Sequence, residues 1–412
     1  MHLTLGNRLK KKHRQTLTNL KQHIHHTSHI RKRTIIMATF IDFHALQTLP
    51  PNNINRGEDG APKTAFFGGV QRQRISSQAL KAAQRRAFAE HLDPSELGVR
   101  TKRIVELVAD RVVELDNSIN EAEALTWAQA AFEKAGLKVA APKTPKNEPA
   151  KPPVSGYLVF LGRHQINRLA EALVEMRGEP FAKKSEVTDI IDENHSVDVA
   201  LFGRMIADDG ALNVDAACLY AHAIGTHEAL PDFDYYTAID DEQEREEITG
   251  AGMIGTVEMM SSTIYRYATI NVDQLKLNLG DEEAVKRAVE AFATTFIETL
   301  PSGKQSTFAA LSMPDLVSVA VRDRRPVSLV NAFESPVTGG DRRRESIVRL
   351  AQEARDVEQE YGMVPQEAWV VTSSAFAEAA DGLGERVTSA ELVSNVARAA
   401  SEAAQPAEAA RS

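Results

Sequence analysis

The segment TFIDFHAL, residues 39–46, alternates apolar and polar side chains with a period of two, which predicts a first β-strand. A loop rich in Pro, Asn and Gly, residues 48–60, follows and presents Arg56 beside Glu58 and Asp59. Residues 63–86 then read KTAFFGGVQRQRISSQALKAAQRR. The first half predicts an extended basic loop or short strand after a Gly-Gly break. Ser76-Ser77 offers a hydroxyl to cap a helix beginning near Gln78. Along that helix Leu80, Ala83, Ala87 and Phe88 recur at helical spacing and predict the inward side, whereas Gln78, Lys81 and Arg85 share another face. Apolar residues three and four apart predict further helices over about 101–115 and 121–135.

Residues 141–156, APKTPKNEPAKPPVSG, are dense in proline and predict a surface linker. The pattern continues with an apolar strand at 156–161, an amphipathic helix around 164–176, a sheet segment VDVALF at 197–202, and a helix over 211–224. The stretch 228–260 changes character. It opens ALPDFDYYTAIDD, passes through the acidic EQEREEITGAGMIG and reaches the alternating EMMSSTIYRYATINV. Its middle is too polar for a core, which predicts a protruding hairpin or long loop between strands. A helix at about 282–300, a loop with Lys304, Gln305 and Ser306, a strand at 315–321, a charged helix at about 342–362 and a short strand WVVT follow. The Ala/Glu-rich tail, residues 390–412, is expected to fray after about Ala399.

Composition narrows the class. Hydrophobic residues make up 43% and charged residues 25% of the chain, the balance of a globular protein, and no run of eighteen apolar residues predicts a membrane span. The single cysteine, Cys218, excludes an internal disulfide framework and a thiolate-rich zinc site, fits a reducing cytoplasm, and reads as a small buried hydrophobe. Residues 1–36 hold nine Lys or Arg and no acid, so the net charge of −9 leaves 39 basic and 57 acidic residues, a net of −18, on the remainder. That extension reads either as an upstream mis-start, with Met37 the true start, or as a basic disordered arm. Against an acidic body, residues 63–86 carry six basic residues and no acidic one.

The chemistry points to binding more than to catalysis. No HExxH, CxxC, P-loop, GxGxxG after a strand or GxSxG occurs. The acid pairs Asp208-Asp209, Asp240-Asp241 and Glu58-Asp59 read as solvated loops, and His44 as a satisfied sheet or core histidine; no metal or cofactor is expected. A phosphate backbone needs several donors along a track. Arg56, Lys63, Arg72, Arg74, Lys81 and Arg85 offer one, with Ser76 and Ser77 adding hydroxyls or amides. Tyr235, Tyr236 and Met205 are open to base stacking or to plain packing.

The text FGGVQRQRISSQALKAAQRR (67–86), VDVALFGRM (197–205), AHAIGTHEALPDFDYYTAIDD (221–241), TIYRYATINVDQLKLNLG (263–280) and KQSTFAALSMPDLVSVAVRDRRPVSLVNAFESPV (304–337) resembles the CasC family, backbone subunits of the type I-E CRISPR Cascade surveillance complex. The resemblance spans most of residues 37–340. It implies an α/β (α+β) fold with three parts: an RRM-like ferredoxin-type palm (37–86 and 191–380), a helical finger insertion (87–190) and a thumb hairpin (228–260). It further implies a cytoplasmic, non-catalytic scaffold whose copies polymerise along a CRISPR RNA beside other Cascade subunits, kinking the guide at intervals and leaving its bases free for a target DNA strand. The family's backbone-binding positions fall on Arg56, Lys63, Lys81 and Arg85, with Ser76 and Gln78 in the RISSQ run. Met205 matches the methionine at the displaced base, Tyr236 the intercalating thumb position, and Lys304 and Gln305 a contact loop. The alternative is a type III-like backbone subunit that cuts target RNA through a loop aspartate, for which Asp59 is the candidate.

Overall fold

The computed structural model describes residues 38–143, 151–207, 209–238 and 253–405. The expected N-terminal extension, the middle of the Pro-rich linker and the tip of the expected thumb lie outside the described residues. β1 (Phe40–Asn52) is followed by a hairpin of β2 (Thr64–Phe67) and β3 (Val70–Ile75), then helix α1 (Ser77–Ala87). Gly68 and Gly69 make the hairpin turn at φ +59° and +80°, a region that glycine enters without steric cost. A Cβ on Gly68 would overlap the Glu334 carbonyl.

An insertion then leaves the sheet. It comprises β4 (Gly98–Thr101), α2 (Ile104–Leu115), α3 (Glu121–Ala135), β5 (Val139–Ala140), β6 (Val154–Ser155), β7 (Val159–Gly162), α4 (Arg163–Glu175) and α5 (Lys184–Asp192). These helices bury a core of their own, with Val108, Phe132, Leu169, Leu173 and Val187 at its centre. β4 pairs with β7 at the base, Gly98 opposite Gly162.

The chain returns through α6 (Val197–Phe202), β8 (Cys218–Tyr220), β9 (Ala223–Gly225), β10 (Asp232–Ala238) and β11 (Met253–Asn271). It finishes with α7 (Val272–Leu279), α8 (Glu282–Glu298), the single turn α9 (Gln305–Phe308), β12 (Leu316–Arg322), α10 (Arg342–Tyr361), β13 (Glu367–Thr372), β14 (Glu385–Arg386) and α11 (Ser389–Ala404). The sheet runs β14-β13-β12-β1-β11-β9-β3-β2, and β12, β1 and β11 are mutually antiparallel.

The alternation read in β1 divides two cores. Ile41, Phe43 and Ala45 join Phe292 and Phe296 of α8 and Val396 of α11. Leu46 lies with Tyr265, Tyr267 and Leu350 of α10 on the opposite face. That second face also buries polar groups. Asp42 accepts from Arg322 Nε at 2.9 Å, the Val327 amide at 2.9 Å and the Tyr267 hydroxyl at 3.0 Å. His44 Nδ1 shares a hydrogen with the Tyr265 hydroxyl at 2.8 Å, so the reading of a satisfied sheet histidine holds for that nitrogen.

Burial pushes the His44 imidazole down to about 3. It stays neutral in the fold while the unfolded chain takes up a proton below about pH 6.5. Stability that is full above that value is therefore lost as pH falls toward 3, at ~1.4 kcal/mol per pH unit. Urea unfolding at pH 7 and pH 5 should show a loss of about 2 kcal/mol from this group, and a His44→Gln variant should lose that slope.

Four expectations are corrected. Residues 48–52, read as the start of an irregular loop, continue β1 to Asn52 and pair with β11 at Thr48, Leu49 and Asn52. VDVALF, read as a sheet segment, is helix α6, whose Ala200 and Gly203 amides bond back to the Ser196 and Val199 carbonyls. Val197, Val199, Ala200 and Leu201 are all buried, and a short apolar run buried all round carries no period to separate strand from helix. Residues 211–224, read as a helix, instead give a 3-10 turn at Gly210–Leu212 and the strands β8 and β9, which pair with β11. The tail does not fray at Ala399: α11 opens on a capping box between Thr388 and Glu391 and stays buried at Ala399, Ala400 and Ala404. Cys218 is buried as expected, its thiol pushed up to about 12 by burial.

Candidate nucleic-acid interface

α1 forms where Ser76, in extended conformation, caps the helix through the Ala79 amide at 3.4 Å. Leu80 and Ala83 turn inward, and Gln84 is buried with its amide on the Phe292 carbonyl at 2.9 Å. The opposite side leaves Gln78 exposed and Lys81 and Arg85 half-buried. These three, together with Met205, line one open cleft of about 560 Å³. Its other walls come from Arg100 in β4, Leu158 and Phe160 beside and in β7, and Phe202 at the end of α6. Elements distant in sequence thus meet at the junction of sheet, helix and insertion.

The cations in the cleft differ in freedom. Lys81 Nζ stands 5.5 Å from the Phe202 ring centroid, and Arg100 is exposed. Arg85 is more constrained. Its Nε donates to Asp198 at 2.8 Å, its Nη2 to the Gly98 carbonyl at 3.2 Å, and its guanidinium covers Phe160 at 4.4 Å. Asp198 is 2% exposed, and also accepts from the Gly98 amide and the Ser196 hydroxyl, each at 2.8 Å. Arg85 therefore ties α1 to α6 and to the insertion, and presents only its remaining donors to the cleft. Met205 is 80% exposed at the rim.

The remaining predicted residues separate. Arg56 is exposed on the loop between β1 and β2. Lys63 is tied through its backbone to Asn55. Arg74 gives Nε to the Thr64 carbonyl and Nη1 to His222 Nδ1, both at 3.1 Å. Burial first, then Arg74 and Lys63, lowers the His222 pKa; the arginine can only donate, so His222 Nδ1 accepts. Two residues are corrected. Arg72 is wholly buried, with every donating nitrogen spent on a backbone carbonyl of the sheet or of the turn before α10, because a β3 side chain on this face points into the sheet's second core. Ser76 is 5% exposed, and its hydroxyl serves the helix cap.

Tyr236 lies on β10 opposite Gly255, where its ring covers the position a Cβ would take; Tyr235 and Phe233 point outward and are exposed. These residues stand on the ribbon, away from the cleft's lining. Lys304 and Ala309 bracket α9 at φ +53° and +46°, a costly conformation for non-glycine residues. Gln305 is folded inward toward the Ala310 carbonyl at 3.3 Å. Among the described residues no group of three His, Cys, Asp or Glu is placed to hold a metal, and Asp59 Oδ1 accepts from the Ala61 amide at 3.1 Å in an exposed loop. No helix of the described residues is long and apolar enough to cross a membrane.

Arg100 escaped the sequence reading although Arg100, Lys102 and Arg103 form a short basic run. Arg204 also touches the cleft, but donates to Leu212 and Ile191 carbonyls and pairs with Asp192 at 2.5 Å, so it is structural.

The family described as CT1975-like protein matches residues 41–395. A chain of a solved structure titled "CRISPR RNA-guided surveillance complex, pre-nicking" is 32% identical, with 88% of this chain and 100% of that chain covered and a TM-score of 0.74. A chain of a second, titled "CRISPR RNA-guided surveillance complex", is 29% identical over 87% of this chain and 99% of the other, with a TM-score of 0.65. Comparison with curated proteins gives no match.

Proposed function

We propose that this chain, which belongs to the CT1975-like protein family, is the guide-binding backbone subunit of a CRISPR RNA-guided surveillance complex, of the CasC kind found in type I-E Cascade. The observation that carries the reading is the cleft. Lys81, Arg85 and Arg100 converge there beside the exposed Met205, which suits a sugar-phosphate backbone with a displaced base resting on an apolar side chain. The two similar complexes, named as RNA-guided, support it.

The RRM-like palm belongs to the same proposal. The order β12-β1-β11-β9, with α1 after the first of these strands in sequence and α8 before the last, supports a ferredoxin-type arrangement. In this reading the β4–α5 insertion is the finger and the β10/β11 ribbon is the root of the thumb, which carries Tyr236 toward the RNA at a neighbouring copy. Binding is independent of guide sequence, because one scaffold must accept many guides and leave their pairing edges to the target DNA.

The scaffold is proposed to be non-catalytic. The competing reading, a type III-like subunit cutting target RNA through Asp59, draws only on an exposed loop carboxylate. Purification with the neighbouring gene products and sizing of bound RNA tests both. Co-purified RNA of uniform length, with complementary RNA left intact in divalent metal, is the expected result. Cleavage lost in Asp59→Ala would replace the scaffold with the nuclease, and absence of RNA would end both readings.

A further inference from the structure

The elements assigned to the guide are scattered in sequence but meet at one buried turn, residues 52–55, where β1 ends. Asn52 and Asn53 are both wholly buried there. Asn52 spends its carboxamide on the sheet: Nδ2 donates to the Pro50 and Met260 carbonyls at 2.8 Å each, and Oδ1 accepts from Gln73 Nε2 at 3.0 Å. Asn53 does something different. Its Nδ2 donates at 2.9 Å to the Gly60 carbonyl and at 2.9 Å to the Glu258 carbonyl.

Those two carbonyls belong to separate parts. Gly60 lies in the loop that carries Arg56. Glu258 pairs with Phe233 in the ribbon, two residues beyond Met260, the last β11 residue that pairs with β1. One side-chain amide therefore bridges the root of the ribbon and the Arg56 loop. Among the described residues Asn53 Oδ1 has no hydrogen-bond partner, and the two donated bonds orient the carboxamide. Neighbouring contacts extend the junction. Asn55 Oδ1 accepts from the Ser76 amide at 2.8 Å, at the cap of α1, and the Asn55 carbonyl accepts from Lys63 at 2.9 Å. A Cβ on Gly303 would stand 2.5 Å from the Ile54 carbonyl, which brings the Lys304 loop against the same turn.

We infer that Asn53 is a positioning residue that sets the angle of the β10/β11 ribbon against the backbone-gripping loop and helix. A two-stranded ribbon has no third strand to hold its direction once it leaves the sheet, and a buried two-donor bridge at its root supplies that constraint. The inference rests on the guide-binding reading above for its functional consequence, but not for its structural one.

Hydrogen–deuterium exchange on the RNA-free chain and nuclease protection on the RNA-loaded chain test the two parts. In Asn53→Ala, amides of residues 56–63 and 255–260 should exchange about tenfold faster, while those of residues 40–46 and of β12 keep their protection. On RNA, the salt dependence of binding should be unchanged while the periodic protection pattern loses contrast, because the grip remains and its register does not. Asn53→Ser, which keeps one donor, should show the same pattern at smaller size and replaces the alanine variant if that fails to fold. Faster exchange spread equally through β1 and β12, or exchange unchanged at both segments, overturns the positioning role. An unaltered protection pattern overturns its consequence for RNA. A wild-type chain that binds no RNA removes the guide-binding reading and leaves the exchange result standing.

Discussion

Replacing Arg72 with methionine is expected to destabilise the fold by ~3–5 kcal/mol and to leave the salt dependence of RNA binding, measured on the folded fraction, unchanged. The side chain has no solvent exposure. Nε donates to the Phe67 carbonyl at 3.1 Å, Nη1 to Gly225 at 3.0 Å, and Nη2 to Phe333 at 3.1 Å and Glu334 at 3.2 Å. It thus joins its own hairpin, strand β9 and the turn that precedes α10. Methionine fills much of the volume but leaves these carbonyls without donors, and a buried unpaired acceptor costs more than the bond it made. Lysine retains the charge but lacks the planar fork, so Arg72→Lys should recover only part of the loss. Urea denaturation measures the first effect and a salt titration of RNA affinity the second. A stable Arg72→Met chain with a reduced salt slope would return this residue to the RNA track.

The opposite outcome is expected in the cleft. Lys81→Ala with Arg100→Ala should lower the slope of log affinity against log salt by about 1.4, from ~0.7 per phosphate contact on a single strand, and weaken binding whatever the guide sequence. Stability should hardly change, since Arg100 is exposed and Lys81 half-buried. This pair is a cleaner probe than Lys81 with Arg85. Arg85→Ala would leave the Asp198 carboxylate, only 2% exposed, without its counter-charge, and loss of one partner of a buried ion pair is itself strongly destabilising. A slope equal to that of the wild type would take the cleft out of the RNA path.

Much of the architecture was legible because period and punctuation agreed. α1 and the helices Ile104–Leu115, Glu121–Ala135, Glu282–Glu298 and Arg342–Tyr361 fall where their apolar spacing predicts them, and β1 starts where predicted but runs on to Asn52. The failures have separate causes. VDVALF is short, apolar and enclosed, so no local period separates strand from helix, whereas residues 211–224, partly exposed, take strand form by pairing with β11. The tail was misread because alanine and glutamate suit a solvated helix or a frayed end equally, until Leu392, Val396 and Ala400 meet α8.

Residue types and spacing suffice to place a basic, acid-free helix start in an otherwise acidic chain, with Gln78, Lys81 and Arg85 on one face. Helical geometry fixes that face. Which cations remain available follows from packing between distant segments. Arg72 and Arg74, two residues apart, share one face of β3, but Arg72 is enclosed while Arg74 reaches the edge beside His222. Arg100 enters the cleft because β4 pairs with β7 at the base of the insertion. Charge is a property of residue type and is read from sequence. Its exposure depends on what the rest of the chain packs around it, and that depends on contacts between segments far apart along the chain.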